Sequence, residues 1–453
     1  MVVHHPQIRE ALPASLARRA LGPGDPAYRS VSSTYLRGGR PALVLRPTSV
    51  AEVVEAVAFA REYRALPLGI RSGGHGISGR STNRGGLVID VSALDGVEVL
   101  DEAARRVRIG PGATWKQVSA VLHEHGWAIG SGDYGGVGVG GLATAGGIGY
   151  LGRRFGLTID HVRAVELVLA DGSTMRASDD ENPDLFWAVR GAGANFGVAT
   201  SFELEADELG PVGWAHLTLT TSDLAGSLTR FGQLATAAPR DTTAFLVAGR
   251  PHGTETHLAL YAVVADPEPD VIVERLTPFL DLGTVVRQQV VVTPYRDIMQ
   301  LAPDVGPDGH HGFGEPSSRS SFLPILDGDT AQRIEAMLAT GQIFFLQLRT
   351  MGGAISDVPP DRTAFAHRSP AFQLTGLGTP DLDAAWALVE PVSDGLYLSF
   401  ETRTGPEQIR AAFPGATLSR LIALKHQHDP ENLFRDNFNV LVTEADPDQE
   451  TQP

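Results

Sequence analysis

The 453-residue chain contains no cysteine. That absence excludes disulfides, thiolate metal centres, a cysteine nucleophile and any cofactor link through a cysteine sulfur. It also lacks long hydrophobic runs. No stretch approaches the roughly 20 apolar residues that cross a bilayer, and residues 1–10 are polar, without the apolar centre of a secretory signal. The cytoplasm is therefore the expected compartment. Positive charge is in deficit, with 37 Lys and Arg against 53 Asp and Glu and a formal net charge of -16. No basic stripe offsets this, which argues against nucleic acid and anionic membrane surfaces as partners. Internal repeats, a G-x-S-x-G elbow and a Walker motif are all missing. The remainder is ordinary: 42% hydrophobic and 20% charged residues can build a sizeable globular core.

The 51 glycines are concentrated in residues 71–86, 130–156 and 191–197. Around them run patterned segments. Residues 43–46 form a short apolar strand, and 48–63 a helix with Ser49 and Glu52 at capping spacing and a stripe of Val50, Val53, Val54 and Val57. Strands follow at 66–71 and 86–92, and a hairpin at 97–100 and 106–109. A second helix covers 114–125, with Thr114 and Gln117 at capping spacing and Gly126 at its stop. Residues 162–177 read as a strand pair turned at Asp171-Gly172, and 198–205 as one more strand. Composition shifts near Gly210-Pro211. Beyond it, 217–220, 243–248 and 257–264 alternate like strands and 330–338 is helical, giving an antiparallel sheet with helices on one face. Residues 303–321, rich in Gly, Pro and Ser, read as a loop and candidate lid. Residues 406–442 return to helix and loop, and 445–453 read as a disordered tail.

Chemistry concentrates in Arg71-Ser72-Gly73-Gly74-His75-Gly76, directly after a strand. Consecutive backbone N–H groups with little side-chain bulk make a concave anion site, for which a pyrophosphate is the obvious guest; Arg71 could add charge. The alternative is a tight turn whose glycines only supply positive φ. A second bed, Gly136-Val137-Gly138-Val139-Gly140-Gly141 and then Gly146-Gly147-Ile148-Gly149, suits a long ligand with two phosphates and flat rings. A Rossmann fingerprint fits less well. Ala143 stands where the third glycine of G-x-G-x-x-G belongs, and the segment lies far into the chain.

These motifs, with Asp184-Leu185-Phe186-Trp187-Ala188, Gly193-Ala194-Asn195-Phe196-Gly197-Val198 and the terminal His428-Asp429-Pro430-Glu431-Asn432-Leu433-Phe434-Arg435 followed by Asn437 and Asn439, resemble the berberine-bridge-enzyme-like branch of the vanillyl-alcohol-oxidase FAD family. The resemblance runs in order along nearly the whole chain. It implies an α+β fold with a two-subdomain PCMH-type FAD-binding domain (residues 1–206, chiefly 36–206), a substrate domain with an antiparallel sheet backed by helices (207–405), a return to the FAD domain (406–444) and a tail (445–453). It further implies that FAD is bonded covalently to His75, with Arg71, Ser72, Gly73, Gly74, Gly76, Ser78, Gly138, Gly141, Leu142, Gly146, Gly147, Val198, Asn437 and Asn439 around the cofactor. Relatives often carry a second, cysteinyl link. Tyr134 occupies that position here, so a single link is expected, with Tyr134 as a candidate wall of the active site.

On the substrate side, Tyr397-Leu398-Ser399-Phe400 resembles the family's Y-x-N-[FY] strand with Ser399 for Asn. The resemblance makes Tyr397 a base or hydrogen-bond donor. A phenol of pKa about 10 needs a nearby cation to act as base, and Arg349 and Arg403 are candidates. Residues 370–374 align with a strand where plant relatives place a catalytic Glu. Gln373 can orient substrate but not accept a proton as a carboxylate does. The implied reaction moves hydride from a C–H of an alcohol, sugar or secondary metabolite to flavin N5, with molecular oxygen as acceptor. Alternatives are a dehydrogenase using another acceptor, a non-redox rearrangement enzyme and an inactive flavin-holding protein. No metal is expected. His310-His311 reads as solvated loop, His123 and His125 lie on different sides of a helix, and Trp115 and Trp187 read as core. Oligomeric state is left open.

Overall fold

A computed structural model describes residues 5–301 and 315–441. Strands Leu43–Leu45 (β1), Leu68–Arg71 (β2) and Leu87–Asp90 (β3) form a parallel sheet in the order β1-β3-β2. The connection from β1 to β2 is the helix Val50–Glu62. Ser49 caps it by accepting from the Glu52 N–H at 3.3 Å, and the Glu52 carboxylate reaches back to the Thr48 N–H at 2.7 Å. Val53 and Val57 are fully buried, whereas Val50 is 39% exposed. The buried stripe runs on through Ala56 and Ala60 instead.

A second layer comprises Val97–Asp101 (β4), Arg106–Ile109 (β5), Trp127–Ala128 (β6), Val162–Val168 (β7), Thr174–Ser178 (β8), Val198–Glu205 (β9) and Asp207–Glu208 (β10). Five of these make the sheet β4-β5-β9-β7-β8, and β6 pairs with β10 as a ribbon. The β7–β8 hairpin turns at Gly172, whose φ of 87° is the left-handed conformation that favours glycine. The helix before β6 ends at His123, so His125 lies outside it. Trp115 and Trp187 are buried, at 1% and 5% exposure.

The third layer is a seven-stranded sheet of Val212–Thr221 (β11), Thr242–Gly249 (β12), Thr256–Val264 (β13), Thr284–Thr293 (β14), Ser317–Leu323 (β15), Ile343–Thr350 (β16) and Phe372–Gly378 (β17), in the order β14-β11-β13-β12-β16-β17-β15. Every pairing in it is antiparallel. One face carries Leu217, Leu246, Leu260, Leu348 and Leu374 and packs on helices Leu224–Ala237 and Gly328–Ala339. At about 1.5–3 kcal/mol for each fully buried leucine, this face fixes which way the sheet is turned. The opposite face, with Trp214, Phe245 and the polar residues of β15, β16 and β17, lies over the second layer. Tyr150 stacks on Phe245 at 4.9 Å and meets Trp214 edge-on at 5.2 Å.

Three expectations are corrected. Residues 317–321 are not loop but part of β15, paired with β17; the rest of the candidate lid, and His310-His311, lie outside the described residues. Tyr397 to Phe400 is not a strand but an extended residue leading into the 3-10 turn Leu398–Phe400. β14 was not anticipated, because neither of its faces is covered and no alternation of polar and apolar residues results.

The last described segment folds back on the first layer. Helix Ala416–His428 ends in a pair with no exposure, Lys425 and Asp429, at 2.7 Å. The Lys425 ammonium also donates to the carbonyls of Asn195 at 2.8 Å and Phe434 at 2.9 Å. The Asp429 carboxylate accepts from the N–H groups of Leu433 and Phe434. Leu433 and Phe434 thereby enter the core against β1 and β3, and Asp436 accepts from the Leu68 N–H at the start of β2. The expected tail at 445–453 lies outside the described residues.

Candidate active site

The loop after β2 and the second glycine bed touch each other. A Cβ built on Gly73 would stand 2.5 Å from the Gly138 nitrogen, so bare backbone is required there by the protein's own packing. Ser72 ties the same junction by donating to the Pro111 carbonyl at 2.6 Å. The Arg71 guanidinium turns inward: it donates to the Val31 carbonyl at 3.1 Å and lies 3.7 Å from Asp90. It braces Gly74, whose φ is +69° and whose added Cβ would meet that guanidinium at 2.7 Å. Arg71 is thus a support of the loop, not a free charge for a phosphate. Gly138 begins the helix Val139–Ala145, which carries Gly141 and Leu142.

Other glycines of the beds face open space. Gly76 and Gly141 are exposed, and a Cβ on Gly141 would meet nothing within 4 Å. Between the beds stands His75, half-buried, with the Tyr35 ring stacked on it at 5.0 Å and the Tyr134 ring tilted against it at 5.0 Å. Ser78 is half-buried in the following turn, where its Oγ accepts from the Arg80 N–H at 3.5 Å. Exposed main chain at Gly76 and Gly141, with an imidazole held by two aromatic rings beside it, suits a flat-ringed dinucleotide.

Tyr397 reaches the second bed from far along the chain. Its Oη accepts from the Gly147 N–H at 3.0 Å, and its ring lies where a Gly146 side chain would be. Phe365, Phe400 and Phe322 surround it. Burial pushes its phenol above the ordinary 10; the bond from Gly147 and the nearby Arg349 charge pull the other way without prevailing. A neutral phenol at this place donates or accepts hydrogen bonds, and its role as a base at neutral pH is disfavoured.

Of the two candidate cations, Arg349 faces the site. Arg403 turns to Glu401 at 3.4 Å and Asp383 at 3.6 Å. Arg349, 4% exposed, donates to Asp133 at 3.1 Å, Gln373 at 2.9 Å, Thr375 at 3.1 Å and Gln347 at 2.6 Å, and lies over the Phe400 ring at 4.2 Å. Gln373 is fully buried. Its oxygen is taken by Arg349, and its nitrogen donates to Ser320 Oγ and the Leu374 carbonyl. With its amide committed to these protein groups, Gln373 holds Arg349 in place. Ser320 in turn accepts from the Tyr397 N–H at 3.0 Å. Val198, 1% exposed, belongs to the core. Asn437 and Asn439 are half-buried on the returning segment, and Asn439 caps the Leu441 N–H at 3.1 Å.

Residues 41–178 match the model of an FAD binding domain. Over 95% of its length the chain is 28% identical to (R)-6-hydroxynicotine oxidase of Paenarthrobacter nicotinovorans, of which it spans 98%. The chain therefore carries an FAD binding domain and is similar to an FAD-linked oxidase along nearly its whole length. The crystal structure of 6-hydroxy-D-nicotine oxidase from Arthrobacter nicotinovorans superposes with a TM-score of 0.83 at 27% identity, covering 95% of this chain and 99% of that one. A Physcomitrella patens BBE-like 1 variant shares the fold, with a TM-score of 0.84 at 22% identity over 98% of this chain and all of that one.

The flavoprotein's sequence hid several of these contributors. Tyr35 lies outside any glycine motif, 40 residues before its partner His75. Asp133 was passed over for its neighbour Tyr134. Gln347 and Arg349 on β16, and Gln373 and Thr375 on β17, are polar at every second position among apolar residues, and this alternation was a usable signal. No helix among the described residues is long and apolar enough to cross a membrane.

Proposed function

We propose that this FAD-dependent oxidoreductase is an oxidase whose cofactor is bonded once, through an imidazole nitrogen of His75, and whose small-molecule substrate sits between the glycine beds and the polar face of β15, β16 and β17. The observation that carries the reading is the placement of His75 and Tyr397. The first is held between Tyr35 and Tyr134 beside exposed backbone of the glycine beds, and the second is hydrogen-bonded to the glycine turn. Bound FAD supplies the acceptor for a substrate hydride and passes the electrons to oxygen. Gly73, Gly74, Gly76, Gly138, Gly141, Gly146 and Gly147 would bring main chain to it, with Ser78, Leu142, Asn437 and Asn439 beside it. Tyr134, in place of a second link, forms a wall next to the imidazole. Tyr397 holds a substrate hydroxyl or amine by hydrogen bonding, and Arg349 adds a fixed positive charge. The 6-hydroxynicotine oxidase among the relatives favours a polar small-molecule substrate with an oxidisable C–H.

The test denatures the purified holoprotein and asks whether yellow fluorescent flavin stays with the polypeptide. Wild type is expected to retain it, mapped to the peptide containing His75, and His75→Ala to release it. Release from wild type would refute the tether. A reduced enzyme that air leaves reduced would refute the oxidase while leaving the flavin assignment intact.

A further inference from the structure

β14 closes one edge of the seven-stranded sheet, and among the described residues only β11 pairs with it. Nine of its ten residues, Thr-Val-Val-Arg-Gln-Gln-Val-Val-Val-Thr, are exposed, with Val286 at 62%, Val292 at 46%, Val290 at 43%, Val291 at 39% and Val285 at 37%. Natural edge strands are usually shortened, covered, or studded with lysine or proline. This one is long, bears a single charge, and contains no proline. An edge of this kind is a template for strand addition.

We propose that two copies of this chain associate through β14, antiparallel about a two-fold axis at Gln289, making one continuous sheet of both subunits. The strand's own sequence and its bulge identify the occupant. It reads nearly the same in both directions. A two-fold axis between neighbouring antiparallel strands must stand perpendicular to the sheet, so paired residues must point to the same face of their own strand. A strictly regular strand paired end to end, Thr284 with Thr293, violates that condition, because those positions differ in parity. The β14 strand is not regular: Thr218 pairs with Arg287 and Leu219 with Val285, leaving Val286 as an inserted residue. The insertion restores the match. Thr284, Arg287, Gln289, Val291 and Thr293 share one face; Val285, Gln288, Val290 and Val292 share the other, the side of the helices.

Centred on Gln289, each pair then falls on a common face. Gln289 meets its own copy, Gln288 meets Val290, Arg287 meets Val291, Val285 meets Val292 and Thr284 meets Thr293. Two Val285–Val292 pairs form, one at each end. The two Arg287 side chains sit roughly 14 Å apart along the strands, at about 3.4 Å per residue, so no like charges oppose each other. Such an isologous pairing closes on itself and leaves no new edge. Ten residues a side is below the roughly 20–30 of a standard interface, so a weak association that depends on protein concentration is expected.

The test uses the full-length holoprotein and does not depend on the flavin reading. Sedimentation equilibrium of wild type should show a concentration-dependent shift to twice the chain mass. Val285→Lys with Val292→Lys sets lysine against lysine and should stay monomeric, whereas Val285→Lys with Val292→Glu should restore the dimer. Because the chain has no cysteine, Gln289→Cys gives a single thiol at the axis, where directly opposed Cβ atoms lie about 4.5–5.5 Å apart. It should crosslink to its copy under mild oxidation. Thr284→Cys, roughly 30 Å from its own copy by the same rise per residue, should not. A wild type that is monomeric throughout, a dimer that persists in the double-lysine variant, or equal crosslinking at 284 and 289 would overturn the proposal.

Discussion

Replacing Asp133 by alanine tests the buried network that joins the glycine-bed segment to the seven-stranded sheet. In the folded protein the Arg349 guanidinium is almost sealed from water, and among the described residues Asp133 is the only carboxylate it contacts. Alanine would leave the cation with the amide oxygens of Gln347 and Gln373 and the Thr375 hydroxyl. Removing one partner of a buried ion pair costs about 3–5 kcal/mol. Asp133 is itself 22% exposed, so water can enter and the lower end, about 3 kcal/mol, is expected. Asp133→Asn keeps an acceptor oxygen and should lose only about 1 kcal/mol, the scale of a single hydrogen bond. Urea unfolding monitored by tryptophan fluorescence reads the difference, since Trp214 lies on the same face of the sheet. Flavin retention should fall with stability, because Asp133 anchors the loop that carries Tyr134. An alanine variant within about 0.5 kcal/mol of wild type, the range of an ordinary surface substitution, would refute the reasoning.

The Lys425–Asp429 pair gives a sharper contrast. Asp429→Ala should destabilise by about 3–5 kcal/mol, while Lys425→Met with Asp429→Leu should recover part of the loss, since two apolar groups bury no charge; thermal melts compare them. Gly73→Ala should block folding because its Cβ collides with Gly138, whereas Gly141→Ala should fold normally and lose flavin affinity, read by titration of the flavin-free His75→Ala background. Burial holds the imidazoles of His161 and His367 below the usual 6.5. The unfolded chain then binds protons near 6.5 that the folded chain refuses, so stability is complete above that pH and falls as pH drops below it. Melting temperature between pH 7.5 and 5 should show this, and His161→Gln with His367→Gln should flatten it; a protein equally stable at pH 5 would contradict the assignment.

Local physics was readable where one residue decides the geometry. Ser49, Thr114, Gly126 and Gly172 marked helix and hairpin ends because a cap or a positive φ acts on its immediate neighbours. β9 was legible because buried Phe202 and Leu204 alternate with half-buried Glu203 and Glu205, and β14 was not because both its faces are exposed. The glycine beds were correctly joined as one feature, but glycine there has two causes. At 73 and 138 the loops crowd each other, and at 141 the backbone is simply open, a distinction no composition can make. The partners of Gln373 and Arg71 were hidden for the same reason: a polar side chain beside a site can be committed to another protein group, and that partner lies tens of residues away.

The returning segment also constrains the order in which the molecule can be built. The first three strands emerge from the ribosome long before Leu433 and Phe434, which complete their core, and before Lys425 and Asp429, which lock that closure. Until some 340 further residues have been translated after β3, the nascent amino-terminal sheet has an open side. A chaperone could shield it during that interval, and binding of FAD to a finished bed must wait for the closing stretch to arrive.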